Sequence, residues 1–107
     1  MNPEVEFHPA AEQELLDAED WYAERSLIAA RAFVQEVTLV VERALAAPER
    51  WPTHLHETRR IVFPRFPFSL IYRYRLREEQ VQVVAVAHQS RRPGYVRKER
   101  VRPWRNR

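Results

Sequence analysis

Four residues near the end of this chain, His88, Arg91, Arg92 and Tyr95, carry the side chains best suited to chemistry on a phosphate. Arginine presents a planar, permanently charged fork that matches phosphate or carboxylate oxygens. An imidazole and a phenol beside it can hold or move a proton, and the phenol ring can stack on a base. The same residues also have a structural reading, in which His88 and Tyr95 close the end of a strand and hydrogen-bond backbone. A second set, Arg65, Arg73, Arg75 and Arg77, lies in the preceding stretch. Arg73, Arg75 and Arg77 alternate by two and so share one strand face. They form either a positive stripe for an acidic partner or for phosphate, or a solvated face paired locally with carboxylates.

Other chemistry is poorly supplied. The chain has one glycine and no cysteine. That excludes glycine-rich phosphate loops, disulfides and thiolate metal sites. His54 and His56 lie two apart with no third ligand in view, so no metal site is expected. The carboxylates between positions 12 and 24 occupy the wet face of a helix and do not suggest a glycosidase pair. No cofactor is expected.

The elements that must position these groups follow from periodicity. Val5-Glu6-Phe7 alternates as a short strand does. Pro9 suits the first turn of a helix, and Ala11, Leu15, Ala18 and Tyr22 make its apolar stripe, widened by Leu16 and Trp21. Trp21 and Tyr22 are expected in the core. Ser26 is the N-cap of a second helix, with Phe33, Val37, Val40, Val41 and Ala44 as its stripe, Leu45 alongside and Pro48 at its end. Strand-like patterning follows at residues 60–63, 68–76 and 81–87, the last being the most apolar and central. Residues 77–80 read as a hairpin turn. The expected fold is α+β: an N-terminal strand and an antiparallel helical hairpin packed on a three-stranded antiparallel meander, in one domain over residues 1–107. Residues from about 96 to 107 are arginine-rich, with few apolar anchors, and read as a flexible basic tail.

Charge is divided along the chain. Residues 1–57 hold 12 acidic and 4 basic side chains, and residues 58–107 hold 3 acidic and 14 basic, so −8 and +11 sum to the net +3. Lys98 is the one lysine. Such asymmetry points to a nucleic acid or an acidic protein as partner of the second half. The N-terminus lacks the layout of a signal peptide and no apolar run is long enough to span a bilayer, so a cytoplasmic protein with no membrane partner is expected.

The order of these elements and several local motifs resemble the RelE/ParE superfamily of bacterial type II toxins, from about Val5 to about Arg100. The resemblance rests on Pro9-Ala10-Ala11-Glu12-Gln13-Glu14-Leu15, Trp21-Tyr22, Phe33, and Pro48 through Trp51-Pro52. It continues in Arg65-Phe66-Pro67-Phe68-Ser69-Leu70-Ile71-Tyr72 and in Val83-Val84-Ala85-Val86-Ala87-His88, followed by Arg91, Pro93 and Tyr95. The Phe-Pro-Phe segment and the His–Arg–Pro–Tyr ending look most like the ParE-like branch. The resemblance implies a two-layer sandwich and a toxin neutralised by a cognate antitoxin, whose acidic C-terminal segment wraps around it. Operator DNA would be reached only through that antitoxin. ParE-like members inhibit DNA gyrase, and RelE-like members cut mRNA in the ribosome without a metal.

For cleavage the family uses cationic groups that stabilise the transition state. Its two arginine positions fall at Ser69 and Gln89 here, which weighs against cleavage. If the chain were RelE-like, Tyr95 with Arg91, Arg92 and His88 would carry catalysis. Arg65, Arg73, Arg75 and Arg77 would bind target or antitoxin. Three functions therefore stand side by side: gyrase inhibitor, ribosome-dependent mRNA endonuclease, or a weakened toxin that serves mainly in operon autorepression.

Overall fold

The computed structural model describes residues 4–92 and 94–101. Strand β1 (Glu4–Phe7) leads into helix α1 (Pro9–Ala23), and three residues later α2 (Leu27–Ala46) returns beside it. Both helix starts are capped. His8 Nδ1 accepts the Ala10 N–H at 3.0 Å, with Pro9 in the first turn, and Ser26 Oγ accepts the Ala29 N–H at 3.2 Å. Each bond satisfies an amide that the helix itself leaves open. Among the described residues no helix is long and apolar enough to cross a membrane.

The rest of the chain is mostly sheet: β2 (Thr53–His54), a 3-10 turn at Leu55–Glu57, β3 (Thr58–Val62), β4 (Phe68–Arg75) and β5 (Gln80–His88), then the short helix α3 (Lys98–Val101). The order across the sheet is β1-β5-β4-β3-β2. The antiparallel meander expected from the sequence is β3-β4-β5. The N-terminal strand joins it parallel to β5, with Phe7 opposite Val83. A two-residue strand too short to read from periodicity pairs with β3 at the other edge.

Alternation along β4 sends Phe68, Leu70 and Tyr72 toward the helices, where they meet Phe33, Val37 and Val40. Burying each such side chain contributes about 1.5–3 kcal/mol. The opposite face carries Ile71, Val84, Ala85 and Ala87. A bulge opposite Ile71 and Tyr72 shifts the parity of β5, so Val81, Val83 and Val86 all reach the helix side. A bulge is the usual device for re-aiming a strand without ending it.

Two expectations need correction. Trp21 is 50% exposed and Leu16 45% exposed, so neither belongs to the core. Tyr22 continues the stripe and packs on Phe33 and Phe66 at 5.3 and 5.1 Å between ring centres, whereas Trp21 is turned 100° away by one helical step. The basic tail is packed as far as Val101: Val96 and Val101 are buried against Ile71 and Ala85 on the face away from the helices. Two valines spaced five apart among arginines gave no periodic signal. Residues 102–107, and Pro93 of the family-like ending, lie outside the described residues.

Among the described residues Tyr72 is the largest fully buried side chain, and its hydroxyl donates to the Pro48 carbonyl at 2.6 Å. Burial pushes its pKa up to about 12, with Arg59 opposing. A phenol whose pKa is raised by folding favours the folded state while it stays protonated. That contribution is therefore complete below about pH 10 and is lost as pH rises toward 12. Alkaline denaturation should steepen in this window, and Tyr72→Phe should flatten it at a cost of about 1 kcal/mol at neutral pH.

Candidate functional site

The site is built where β5 outruns its neighbour. Past Phe7 the chain turns away, and the His8 N–H makes the last link, to the Val83 carbonyl at 2.9 Å. Beyond that point the buried edge of β5 needs other partners, because unpaired backbone groups are costly. Glu14 of α1 supplies one: its Oε1 accepts the Val86 N–H at 3.0 Å. Its Oε2 accepts from Arg100 Nη1 at 3.0 Å and from the Tyr95 hydroxyl. Arg100 Nη1 also lies 3.4 Å from the Val84 carbonyl. One carboxylate thus ties α1, β5 and the C-terminal segment together.

This clamp decides the chemistry open to Tyr95. Burial and the bond to Glu14 push its pKa above the usual phenol range, with Arg100 working against them. Its ring is flanked by guanidinium groups, Arg91 at 4.8 Å and Arg100 at 5.3 Å from the ring centre. Burial pulls the Arg100 pKa down, and the Glu14 carboxylate and Tyr95 outweigh it, so the guanidinium is held firmly charged. The structure therefore places Tyr95 as a hydrogen-bond donor inside a clamp, close to the structural reading except that its partner is a side chain.

His88 ends β5 on the exposed surface. Its Nδ1 accepts the Ser90 N–H at 3.0 Å, and its ring meets Phe68 edge-on at 5.1 Å. Arg91 and Arg92 follow on the same loop and are exposed. The loop turns at Gly94, the chain's one glycine, whose φ of +89° a side chain would resist. His88, Arg91, Arg92 and Tyr95 thus lie around one loop.

Two hollows flank this loop. On the helix side is a groove of about 500 Å³ between α1 and the loop, with Trp21, Phe68 and Val86 in its lining, Asp17 on the helix and Arg91 on the loop. Arg25 covers the exposed Trp21 ring at 3.6 Å. On the opposite side is a hollow of about 80 Å³ whose lining includes His54, Arg60, Ser69, Gln89, Arg91 and Arg92. Burial pushes the His54 pKa down, and Arg60 and His56 add to it. Ser69 is buried, and its Oγ accepts from Arg60 Nε at 3.1 Å. A guanidinium from the neighbouring strand therefore stands over the position where the family-type arginine is missing. Gln89 is exposed, and its N–H bonds the Pro67 carbonyl at 2.8 Å.

The second arginine set does not form one surface. Arg73 Nη1 donates to the Val101 carbonyl at 2.8 Å and so helps dock α3. Arg75 pairs with Glu78 at 3.0 Å across the turn. Arg77 is exposed beyond the end of β4, so the three-residue stripe ends at Arg75. Arg65 sits in the β3–β4 loop, where Glu36 holds its backbone. Glu14, Glu36, Arg60 and Arg100 are the residues that sequence reasoning passed over.

A helical hairpin on one face of a five-stranded mixed sheet, with an arginine-rich loop after the long interior strand, is the architecture of the RelE/ParE-like toxins. A chain from the solved structure of a chromosomal ParDE TA system from P. aeruginosa shares the fold, with a TM-score of 0.69 at 17% identity over 80% of this chain and 95% of that one. Residues 5–93 match the family model for the ParE toxin of the type II toxin–antitoxin system, parDE, and the chain belongs to that family. A comparison with curated proteins gives no match.

Proposed function

We propose that this toxin inhibits DNA gyrase by binding and that a cognate antitoxin neutralises it by laying an acidic segment on the arginine-rich half. The observation that carries the reading is the Tyr95 hydroxyl committed to Glu14. A proton-shuttling tyrosine needs its hydroxyl free toward substrate and a pKa nearer neutrality, and both are opposed here. Membership of the ParE family supports the same reading. The antitoxin part draws on the charge division and on the groove beside Trp21, where an apolar anchor would sit close to Arg91.

The cleavage reading has one observation in its favour, the Arg60 guanidinium beside Ser69. The two readings separate on Tyr95→Phe. With a binding inhibitor, the variant loses about 1.5–2 kcal/mol of stability with the bond to Glu14 and keeps gyrase inhibition within about twofold. With a nuclease, mRNA cleavage falls by roughly 10²–10⁴ while ribosome binding persists. In cells, pulse-labelling after induction should show DNA synthesis failing before protein synthesis. Protein synthesis failing first would reject the gyrase proposal.

A further inference from the structure

We propose that a polar strip of β1 and β5 on the face away from the helices, made of Glu4, Glu6, Gln80 and Gln82, is the seat of residues 102–107 of the same chain. The strip is built by register. Glu6 lies opposite Gln82, and Gln82 lies opposite Arg73. Two residues along each strand, Glu4, Gln80 and Arg75 repeat the order. Each row therefore runs from a carboxylate through an amide to a guanidinium, and the period of two puts both rows on one face.

The first row is unfinished. Gln82 is 1% exposed. Its Nε2 donates to Glu6 Oε1 at 3.3 Å and to Gln80 Oε1 at 3.1 Å, and Gln80 Nε2 lies 3.4 Å from the same Glu6 oxygen. The Gln82 Oε1 has no partner, and among the described residues it is the only buried side-chain polar atom left so. A buried amide oxygen without a donor is destabilising. The carboxylates are unfinished too. Among the described residues neither Glu4 nor Glu6 has a cation within salt-bridge distance, although Glu6 is half-buried. Arg73, the cation of that row, spends its Nη1 on the Val101 carbonyl at 2.8 Å.

That bond also fixes where residues 102–107 begin. Val101 is buried, and its carbonyl stands at the arginine end of the row. From β4 to β1 is two strand spacings, about 10 Å. Six extended residues span about 20 Å, enough to reach Glu6 and Glu4. The chemistry is complementary: Arg102, Arg105 and Arg107 come with no acidic side chain between them, and Trp104 and Asn106 add N–H donors. A guanidinium between Glu6 and Gln82 would give the carboxylate its cation and the orphaned oxygen its donor through two nitrogens of one fork. A hard metal ion is the weaker fit, because it needs several more oxygen ligands than this row supplies. Part of the charge division along the chain is then satisfied within it, and an acidic partner would compete with Glu4 and Glu6 for these arginines. The inference does not depend on gyrase being the target.

The test uses the full-length protein with one cysteine appended after Arg107 and a nitroxide attached to it, since the chain has no cysteine of its own. Paramagnetic broadening of backbone amides, followed by NMR, should be strongest at residues 4–6 and 80–82 and weak at residues 89–92. Raising the ionic strength to about 1 M, where the screening length falls to about 3 Å, should weaken it at the strip. Glu4→Gln combined with Glu6→Gln keeps the size and the hydrogen bonding of both side chains and should cut the broadening by about half. Glu42→Gln, on the exposed side of α2, should leave it unchanged. The proposal is overturned if broadening is strongest at residues 89–92, if it is uniformly weak, or if the Glu4→Gln, Glu6→Gln protein keeps the full pattern. It is also overturned if the strip broadens only in an isotope-labelled, nitroxide-free copy mixed with a nitroxide-bearing one, which would assign the strip to a second molecule.

Discussion

Glu14→Ala should be among the most damaging single changes in this protein, costing about 3–5 kcal/mol. Three donors converge on that carboxylate: the Val86 N–H, Arg100 and the Tyr95 hydroxyl. An unsatisfied buried donor costs about 1–3 kcal/mol, and removing one partner from a buried charge pair costs more than the pair itself contributes. For a chain of this size the total is a large share of the 5–15 kcal/mol that separates folded from unfolded. The damage should also be directional. Without the clamp, Arg100 and Tyr95 no longer hold the C-terminal segment, and Val96 and Val101 lift from Ile71 and Ala85. Hydrogen exchange should therefore show lost protection at Val86 and along residues 95–101 before the meander opens. Glu14→Gln, which keeps an acceptor for Val86, should fall between. A melting temperature within about 3 °C of the unaltered protein for Glu14→Ala would show that the clamp contributes little.

Glu36→Ala should cost about 3 kcal/mol and lower the melting temperature by more than about 10 °C. Glu36 is 4% exposed, and its Oε2 accepts two successive backbone amides, Arg65 at 2.9 Å and Phe66 at 2.8 Å. It acts as a cap for a loop that has no strand partner. The link to the Arg65 guanidinium, at 3.5 Å to a largely exposed side chain, adds little. The two amide bonds are charge-assisted and worth roughly 1.5–3 kcal/mol each, less what the loop recovers from water. Loss of the cap should loosen Phe66, which packs edge-on to Tyr22 and Phe33 at 5.1 and 5.4 Å. Arg65→Ala keeps both backbone bonds and should be nearly neutral. A large loss there with a small loss in Glu36→Ala would reverse the assignment.

These two carboxylates also mark where sequence reading stopped. Both helices and the three meander strands are legible because their apolar residues repeat at 3.6 or 2, and because Pro9 and Ser26 punctuate the helix starts. Glu36 was legible in principle: it lies three after Phe33 and four before Val40, inside the stripe, and a carboxylate there must find donors. Glu14 lies on the border of its stripe, among solvated acids, and nothing local sets it apart. Its partners are 72 to 86 residues away, set by where β1 ends. Arg60 is similar. Its approach to Ser69 depends on the β3–β4 register, in which Arg60 sits opposite Ile71, and not on its place in the chain. The cluster at His88–Arg91–Arg92–Tyr95 was visible as a run of residue types. Its division into a clamp on one side and a cationic hollow on the other was not, because that depends on which side of the sheet each side chain leaves.

The most direct measurement of the central proposal is a supercoiling assay with purified gyrase, relaxed plasmid and this protein, run beside a translating extract in which mRNA integrity is followed. The proposal predicts that supercoiling stops at toxin concentrations that leave mRNA intact, and that Tyr95→Phe still stops it. Full supercoiling together with cut mRNA would contradict it and assign Tyr95, Arg91 and Arg60 to cleavage.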